Sequence, residues 1–356
     1  MKYKKLGTTS LKISNISLGT MTFGEQCSKN ESLKILDYSY ENGVNLIDTA
    51  EMYPVYPKKK TQGETERIIG DWLEKKKNRN KIFIASKICS SHPDGIGSTR
   101  LKWIRGGGKK LKFDYKNISK AVNESLKRLK TDYIDLYQLH WPERKVAIFG
   151  KLDFNYDKND KNWTPFLEIL HNLNKLIKTG KIRYIGVSNE TPWGISEYIN
   201  LSEKHDLPRI QSVQNGYNLI NRVFDIANSE VVIRKKCSLL AYSPLAGGRL
   251  TGKYLKNKRP SNSRYSLWPG RFSRHLTKRG ETSILKYMKL SKKYNISLLN
   301  LANGFVLSRP FVTSSIIGAT SLKQIKENLH SCNIKLDNEI LNEIEKIHLS
   351  DPNPCV

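Results

Sequence analysis

No stretch of this chain approaches the roughly 20 consecutive apolar residues of a membrane-spanning helix, and none is expected to span. The opening MKYKKLGTTS also lacks the apolar run of a secretory leader. Cysteine is scarce: Cys27, Cys89, Cys237, Cys332 and Cys355 are odd in number, scattered and without metal-ligand spacing. Neither a disulfide framework nor a metal site is expected, and free thiols fit a reducing, cytoplasmic compartment. There is no internal repeat and no Pro- or Ser-rich linker, so residues 1–356 read as a single domain. No Gly-x-Gly-x-x-Gly follows a first strand, which removes the Rossmann fingerprint. Acidic residues are also few, 33 against 61 Lys and Arg, leaving a formal charge of +28. Such a field draws phosphate, whether on nucleic acid, a membrane surface or a phosphorylated cofactor, and does not say which. Lysine is overused along the whole chain together with Asn and Ile, as a composition bias would produce. With no recognisable module or aromatic platform, a nucleic-acid partner is not expected. The densest block, residues 98–116 (STRLKWIRGGGKKLKFDYK), holds seven basic residues and one Asp around a Gly triplet and reads as a mobile surface loop.

What is present is a rhythm. Short β-branched and apolar runs at 14–20, 45–50, 81–88, 133–140, 184–189, 210–215, 238–243 and 315–319 alternate with helical patterns. The helical patterns lie at 30–42, 65–77, 118–130, 165–179, 193–205, 224–236, 283–294 and 321–331. Eight such units predict an α/β fold, a closed (β/α)₈ TIM barrel. Residues 2–14 alternate around a Gly-Thr-Thr-Ser turn and predict an N-terminal hairpin that could close one end of the barrel, while 337–348 predict an extra C-terminal helix. The long connections 89–117, 141–164 and 244–282 all follow strand C-termini, the side on which barrels of this kind build their sites.

At that side, apolar strands give way abruptly to ionisable residues. The second ends in Asp48, followed by Tyr53; the third ends in Lys87; the fourth ends in His140, followed by Trp141. Each alone has an ordinary structural explanation, but four at one end of one barrel make an acid–base constellation. A tyrosine, with ordinary pKa about 10, protonates a nascent alkoxide readily at neutral pH when a neighbouring cation lowers that value. Lys87 is expected to be that cation, and Asp48 to keep it charged against the cost of burial.

The motifs GTMTFGEQ (19–26), LIDTAEMYP (46–54), ASK (85–87), SLKRLKTDYIDLYQLHWP (125–142), GKIRYIGVSN (180–189), YSPLAGGRLTGKY (242–254) and IGATSLKQIKEN (317–328) resemble the aldo-keto reductase family over nearly the whole chain. GTMTFGEQ, AEMYPV and HWPER further resemble its bacterial Tas-type branch, related to the β-subunits of voltage-gated potassium channels. The resemblance implies an oxidoreductase that reduces aldehydes or ketones with NADP(H), with Asp48, Tyr53, Lys87 and His140 as catalytic set, Tyr53 as proton donor and Trp141 as a substrate-pocket wall. An NADP(H)-binding regulatory or redox-sensing protein on the same fold is the alternative.

The cofactor contacts follow from the same resemblance. Ser188, Asn189 and Gln214 would hold the nicotinamide amide and Tyr242 would stack on its ring. Ser243, Leu245 and Gly247 would wrap the pyrophosphate, with Thr20, Met21, Gln26 and Asp48 contributing from the early loops. Gly318, Thr320, Gln324, Glu327 and Asn328 match the adenosine side, where helix N-terminal amides favour an anion. Lys253 and Arg264 match the cations on the 2′-phosphate, with Arg259 a competitor for the second place. The block 98–116 is longer and more charged than the family pattern and the loop 144–163 mixes aromatics with charge; both could overhang the pocket, whose substrate the sequence does not name.

Overall fold

The computed structural model describes residues 1–92, 101–107 and 110–356, apart from the side chains of Ser273 and Cys332. Within the block 98–116, residues 98–100 and 108–109, including Arg100 and Lys109, thus lie outside the described residues.

The hairpin pairs β1 (Tyr3–Lys5) with β2 (Lys12–Ser14), Lys4 opposite Ile13. Eight parallel strands follow: β3 (Ile16–Gly19), β4 (Leu46–Asp48), β5 (Phe83–Ile88), β6 (Ile134–Leu139), β7 (Ile182–Ser188), β8 (Ile210–Gly216), β9 (Ser238–Tyr242) and β10 (Val312–Gly318). They close in sequence order, β10 pairing with both β9 and β3. The (β/α)₈ barrel expected from the rhythm is the observed fold.

The two-residue period of a strand decides what the barrel interior holds. Leu46, Ala85, Leu136, Leu240 and Ile316 turn inward and form one buried cluster with Leu6, Leu11 and Ile13 of the hairpin. The hairpin therefore plugs the N-terminal end of the barrel with its own apolar face. Two residues further along the same strands, the same inward face carries Asp48, Lys87, Gln138 and Tyr242. The alternate residues, such as Ile47, Ile84 and Tyr137, face outward into the large core shared with the helices.

Those helices are α1 (Lys29–Glu41), α2 (Glu64–Lys76), α3 (Tyr115–Leu129), α4 (Phe166–Lys178), α5 (Pro192–Lys204) and α6 (Asn228–Arg234), each following one strand. Side-chain caps start several of them: Ser28 accepts from Glu31 N, Asp114 from Asn117 N, and Thr191 from Gly194 N with Pro192 in the first turn. The segment 224–236 differs from the single helix expected: a 3₁₀ turn at Val223–Asp225 precedes α6, and Ala227 between them has φ +60°.

The connection from β9 to β10 also differs. The sequence pattern assigns one helix, 283–294; the structure has the short α7 (Arg264–Leu267), then α8 (Lys278–Lys293) and α9 (Leu298–Ser308). It is α9 that packs on β10, whereas α8 lies outside it against α11 (Asn338–Ser350), the expected C-terminal helix. Helix α9 reads LLNLANGFVLS, apolar on nearly all sides because nearly all of it is buried, so it lacks the amphipathic stripe by which a surface helix is recognised. Helix α10 (Leu322–His330), capped by Ser321, completes the ring.

Gly70 marks the closest approach of α2 and α3: a Cβ there would stand 2.3 Å from the Arg128 carbonyl oxygen and 2.8 Å from the Leu129 carbonyl carbon. Alanine in a helix normally gains about 1 kcal/mol over glycine. Here backbone overlap outweighs that gain, and Gly70→Ala should lower stability by about 1–2 kcal/mol, read as a lower urea midpoint at unchanged slope.

Candidate active site

The inward face of the strands ends in a layer of polar groups that satisfy one another. The Lys87 ammonium, fully buried, donates to Asp48 Oδ2 at 2.7 Å and to the Thr49 carbonyl at 2.8 Å. The other oxygen of Asp48 accepts from Gln214 Nε2 at 2.7 Å and from Gln138 Nε2 at 3.4 Å. Burial draws Lys87 below its ordinary pKa, and the Asp48 charge and hydrogen bond oppose that pull.

Above this layer stand the rings. Tyr53, on the loop after β4, has its ring centroid 5.1 Å from Lys87 Nζ and 5.8 Å from the His140 ring, edge to face. Burial, and then the Asp48 charge, push the Tyr53 hydroxyl well above the ordinary phenol value. This corrects the expectation that Lys87 lowers it: with a carboxylate 2.7 Å away, the lysine presents a nearly neutral pair to Tyr53, and desolvation governs. Tyr53 is a protonated phenol across the neutral range. His140, following β6, is held well below the ordinary imidazole value by burial and by the Lys87 charge, so it is neutral at pH 7. Its Nδ1 is buried without a hydrogen-bond partner, and its ring lies 4.7 Å from Trp141. Trp141 is buried and fixed by its indole N–H, which donates to the Ser90 carbonyl at 2.9 Å.

From this point a cleft of about 1470 Å³ runs across the C-terminal ends of the strands. It is lined by Asp48, Tyr53, His140 and Trp141 and by every residue expected to hold the cofactor, from Thr20, Met21 and Gln26 to Glu327 and Asn328. Lys87 does not line it; it lies beneath the floor, behind Asp48. Ser188, Asn189, Gln214 and Tyr242, at the ends of β7, β8 and β9, form one chain. Ser188 Oγ donates to the Gln214 carbonyl (2.7 Å), Asn189 Nδ2 to Ser188 Oγ (3.1 Å) and to the His140 carbonyl (2.9 Å), and the Tyr242 hydroxyl to Asn189 Oδ1 (2.7 Å). Further along lie Ser243, Leu245 and Gly247, where Gly247 and Gly248 adopt left-handed φ of +67° and +95°. Next come Lys253 and Arg264, and at the far end Gly318, Thr320 and Gln324 before and within the first turn of α10. Between the two candidate arginines the structure separates: Arg264 lines the cleft beside Met21, while Arg259 is exposed elsewhere.

The ionic pairing of the chain shows what such a cleft accepts. The buried arginines Arg144, Arg222 and Arg249 each face a carboxylate, respectively Glu190, Asp225 and Glu281. In the cleft, Lys253, Arg264, Arg271, Arg274 and Lys323 have none within 4.0 Å among the described residues. Lys253, Arg264 and Arg274 are half-buried without a counter-ion, which is costly, while Arg271 and Lys323 are exposed and add their charge at the rim, so the arrangement suits an anionic ligand. The space is large for a single small molecule, and the start of α10 supplies helix N-terminal amides; a dinucleotide with a second, smaller ligand fits these residues.

The basic block 98–116 does not behave as the free loop expected of it. Arg105 is buried against Glu51, its side chain only 1% exposed, and donates to the Cys89 carbonyl at 2.6 Å and to Asn117 Oδ1 at 3.1 Å. Glu51 also accepts from Cys89 N at 2.8 Å. Leu101, Ile104 and Leu111 join Ala50, Met52, Tyr53 and Trp141 in one apolar cluster, and a Cβ on Gly107 would stand 2.3 Å from the Lys102 carbonyl oxygen. The segment is docked beneath Tyr53. The missed signal was the alternation of Leu101, Ile104 and Leu111 with the basic residues, which marks an anchored strap. Sequence reasoning also passed over Tyr56, Phe149, Arg271, Arg274 and His275, all of which line the cleft from its long loops.

Comparison with known proteins agrees with this architecture. The family model described as "Aldo/keto reductase family" matches residues 15–349. The chain is 42% identical over 351 residues to "Protein tas" of Escherichia coli strain K12, covering 98% of each. It is 38% identical over 283 residues to "Aldo-keto reductase" of Babesia bovis, covering 76% of this chain and 96% of that one. It is also 29% identical over 358 residues to "Probable voltage-gated potassium channel subunit beta" of Arabidopsis thaliana, covering 99% and 98%.

Two outcomes follow from the site. Arg105→Ala leaves Glu51 buried without its cation and should cost about 3–5 kcal/mol, measured by chemical denaturation. His140 and His275 are both held neutral by burial, with Lys87 adding for the first and Arg274, Arg264 and Arg249 for the second. The unfolded chain therefore takes up their protons first: their stability contribution is complete above the unfolded value of about 6.5 and declines below it, by at most ~1.4 kcal/mol per pH unit for each. The denaturation midpoint should fall as pH is lowered from 6.5 to 5, and His275→Gln should flatten that slope; an unchanged slope would show that His275 takes up its proton in the folded state.

Proposed function

The chain belongs to the aldo/keto reductase family, and on that premise we propose that it is a cytoplasmic oxidoreductase reducing aldehydes or ketones to alcohols with NADPH. The observation that carries the reading is the convergence of Tyr53, His140 and the Lys87–Asp48 pair in one cleft that also holds Lys253, Lys323 and the start of α10. Ser188, Asn189 and Gln214 would hold the nicotinamide amide against Tyr242. Ser243, Leu245 and Gly247 would take the pyrophosphate; Gly318, Thr320, Gln324, Glu327 and Asn328 the adenosine; Lys253 and Arg264 the 2′-phosphate. Bound NADPH supplies the hydride.

The chain's own residues then manage the oxygen. A carbonyl oxygen seated between Tyr53 and neutral His140 meets two uncharged hydrogen-bonding groups, which orient it without committing a proton. As negative charge develops on that oxygen, its proton affinity rises until the Tyr53 hydroxyl transfers its proton. The tyrosinate left behind faces the Lys87 ammonium across the ring, and the positive end of the ion pair, previously offset by Asp48, now has a charge to stabilise. Trp141, immobilised through Ser90, closes one side of the pocket and limits water at the reacting carbon.

Tyr53→Phe should abolish carbonyl reduction, assayed with a model aldehyde by NADPH absorbance, while NADPH binding followed by fluorescence stays nearly unchanged. Retention of most of kcat would remove Tyr53 as donor; tight NADPH binding without turnover of any carbonyl compound would favour the redox-sensing alternative. NADPH should also bind far more tightly than NADH, each charge-assisted bond to the 2′-phosphate contributing about 1.5–3 kcal/mol, roughly ten- to a hundredfold in affinity. Lys253→Ala should erase part of that difference, and equal affinities in the unmodified protein would remove Lys253 and Arg264 from this role.

A further inference from the structure

The cations of the cleft fall into two groups. Lys323 stands in the first turn of α10, assigned above to the adenosine, while Lys253, after the Gly247–Gly248 turn, and Arg264, beside Met21, are assigned to the 2′-phosphate. Arg271 and Arg274 stand elsewhere. The Arg271 guanidinium lies 4.6 Å from the ring of Tyr56, on the loop that carries Tyr53. The Arg274 guanidinium lies 5.5 Å from the ring of Phe149 and 5.8 Å from that of Tyr242. Tyr56, Phe149 and Trp141 are aromatic walls of the cleft near Tyr53 and His140. The two arginines therefore border the end at which a carbonyl would react.

Among the described residues, neither has a carboxylate within 4.0 Å. Among the described residues lining the cleft the only carboxylates are Asp48, which is held by Lys87, and Glu327, which belongs to α10. His275, beside Arg274, is neutral and adds a donor but no charge at pH 7. A guanidinium lying along an aromatic face is supported on its flat side and keeps its N–H edge for an acceptor, and two such edges fit an oxyanion in forked geometry. Arg274 is half-buried, so its contact is stronger than in open solvent, whereas Arg271 is exposed and adds its charge at the rim. Of the described residues of the block 98–116, whose charge first drew attention, Leu101 alone lines the cleft.

Taking Tyr53 and His140 as the carbonyl end, as proposed above, we infer that the preferred substrates are carbonyl compounds bearing an anionic oxygen group at their far end, a carboxylate or a phosphate, engaged by Arg271 and Arg274. The chemistry at the carbonyl is unchanged. What the arginines add is selection, since a neutral analogue leaves both guanidinium edges without an acceptor.

The test uses matched probes: 4-carboxybenzaldehyde, its methyl ester, and 4-formylphenyl phosphate. With NADPH at low salt, kcat/KM for the acid should exceed that for the ester by about tenfold or more, and the advantage should shrink as salt is raised to about 0.5 M. The phosphate arm distinguishes the two anion sources. Arg271→Met and Arg274→Met should each bring the acid-to-ester ratio toward one. Arg234→Met, which removes an exposed arginine paired with Glu230, controls for the overall field and should leave the ratio unchanged. Independently of turnover, 4-(hydroxymethyl)benzoate should bind the NADP-loaded protein about tenfold more tightly than its methyl ester by calorimetry, and lose that margin in the two variants. Equal kcat/KM for acid and ester would overturn the inference and leave the reductase reading intact. So would a drop in NADPH affinity in both variants with the ratio preserved, which would assign these arginines to the cofactor. Arginine-dependent binding of the anion without reduction of any aldehyde would sustain the anion site and overturn the reductase reading.

Discussion

The buried contact between Lys87 and Asp48 is the constraint on which the rest of the site depends. A lysine with no exposed surface has no access to water, and its charge is sustained by two acceptors within 2.8 Å. Asp48 in turn accepts from Gln214 and Gln138, so the two ions are held by each other and by the barrel interior. Over this floor, burial and the Asp48 charge keep Tyr53 a phenol, and burial and the Lys87 charge keep His140 a neutral imidazole. Had the lysine been unpaired, it would have shed its proton; had the aspartate been unpaired, it would have raised the cost of any negative charge forming above it.

A second constraint is the distribution of positive charge. The chain carries 61 basic residues, and outside the cleft Arg105, Arg128, Arg144 and Arg222, withdrawn from bulk water, each face a carboxylate. The same residue type thus serves two ends. Arg105 ties a long loop to Glu51 beneath Tyr53 and turns a basic strap into part of the wall. Arg264, Arg271 and Arg274 are left with aromatic neighbours and no counter-ion among the described residues, the feature on which the proposed anionic ligands rest. Net charge alone could not have distinguished these roles.

Much of the architecture was legible because it depends on local pattern. The β-branched runs, the helix caps at Ser28, Asp114 and Thr191, and the two-residue strand period that carries Ala85 to Lys87 and Leu136 to Gln138 all reside in neighbouring positions of the chain. Recognised motifs placed the cofactor-side residues on one cleft. Less legible was α9, whose complete burial removes the amphipathic signal, and the break at Ala227, which depends on a single backbone dihedral. The burial of Leu101, Ile104, Arg105 and Leu111 is less legible because three consecutive glycines resemble a free loop, whereas Gly107 lets the chain pass close to Lys102.

By itself, then, the sequence determined the barrel, the hairpin plug and the identity of Asp48, Tyr53, Lys87 and His140 as a group, because each follows from periodicity or from residues a few positions apart. Tertiary structure alone decided their protonation and the use of the arginines. Burial, and the partner that happens to lie a few ångströms away, set whether a tyrosine is raised, an imidazole is neutral or a guanidinium is paired. Asp48 meets Gln214 from 166 positions away, and Arg105 meets Glu51 from 54, across separations that no local pattern encodes.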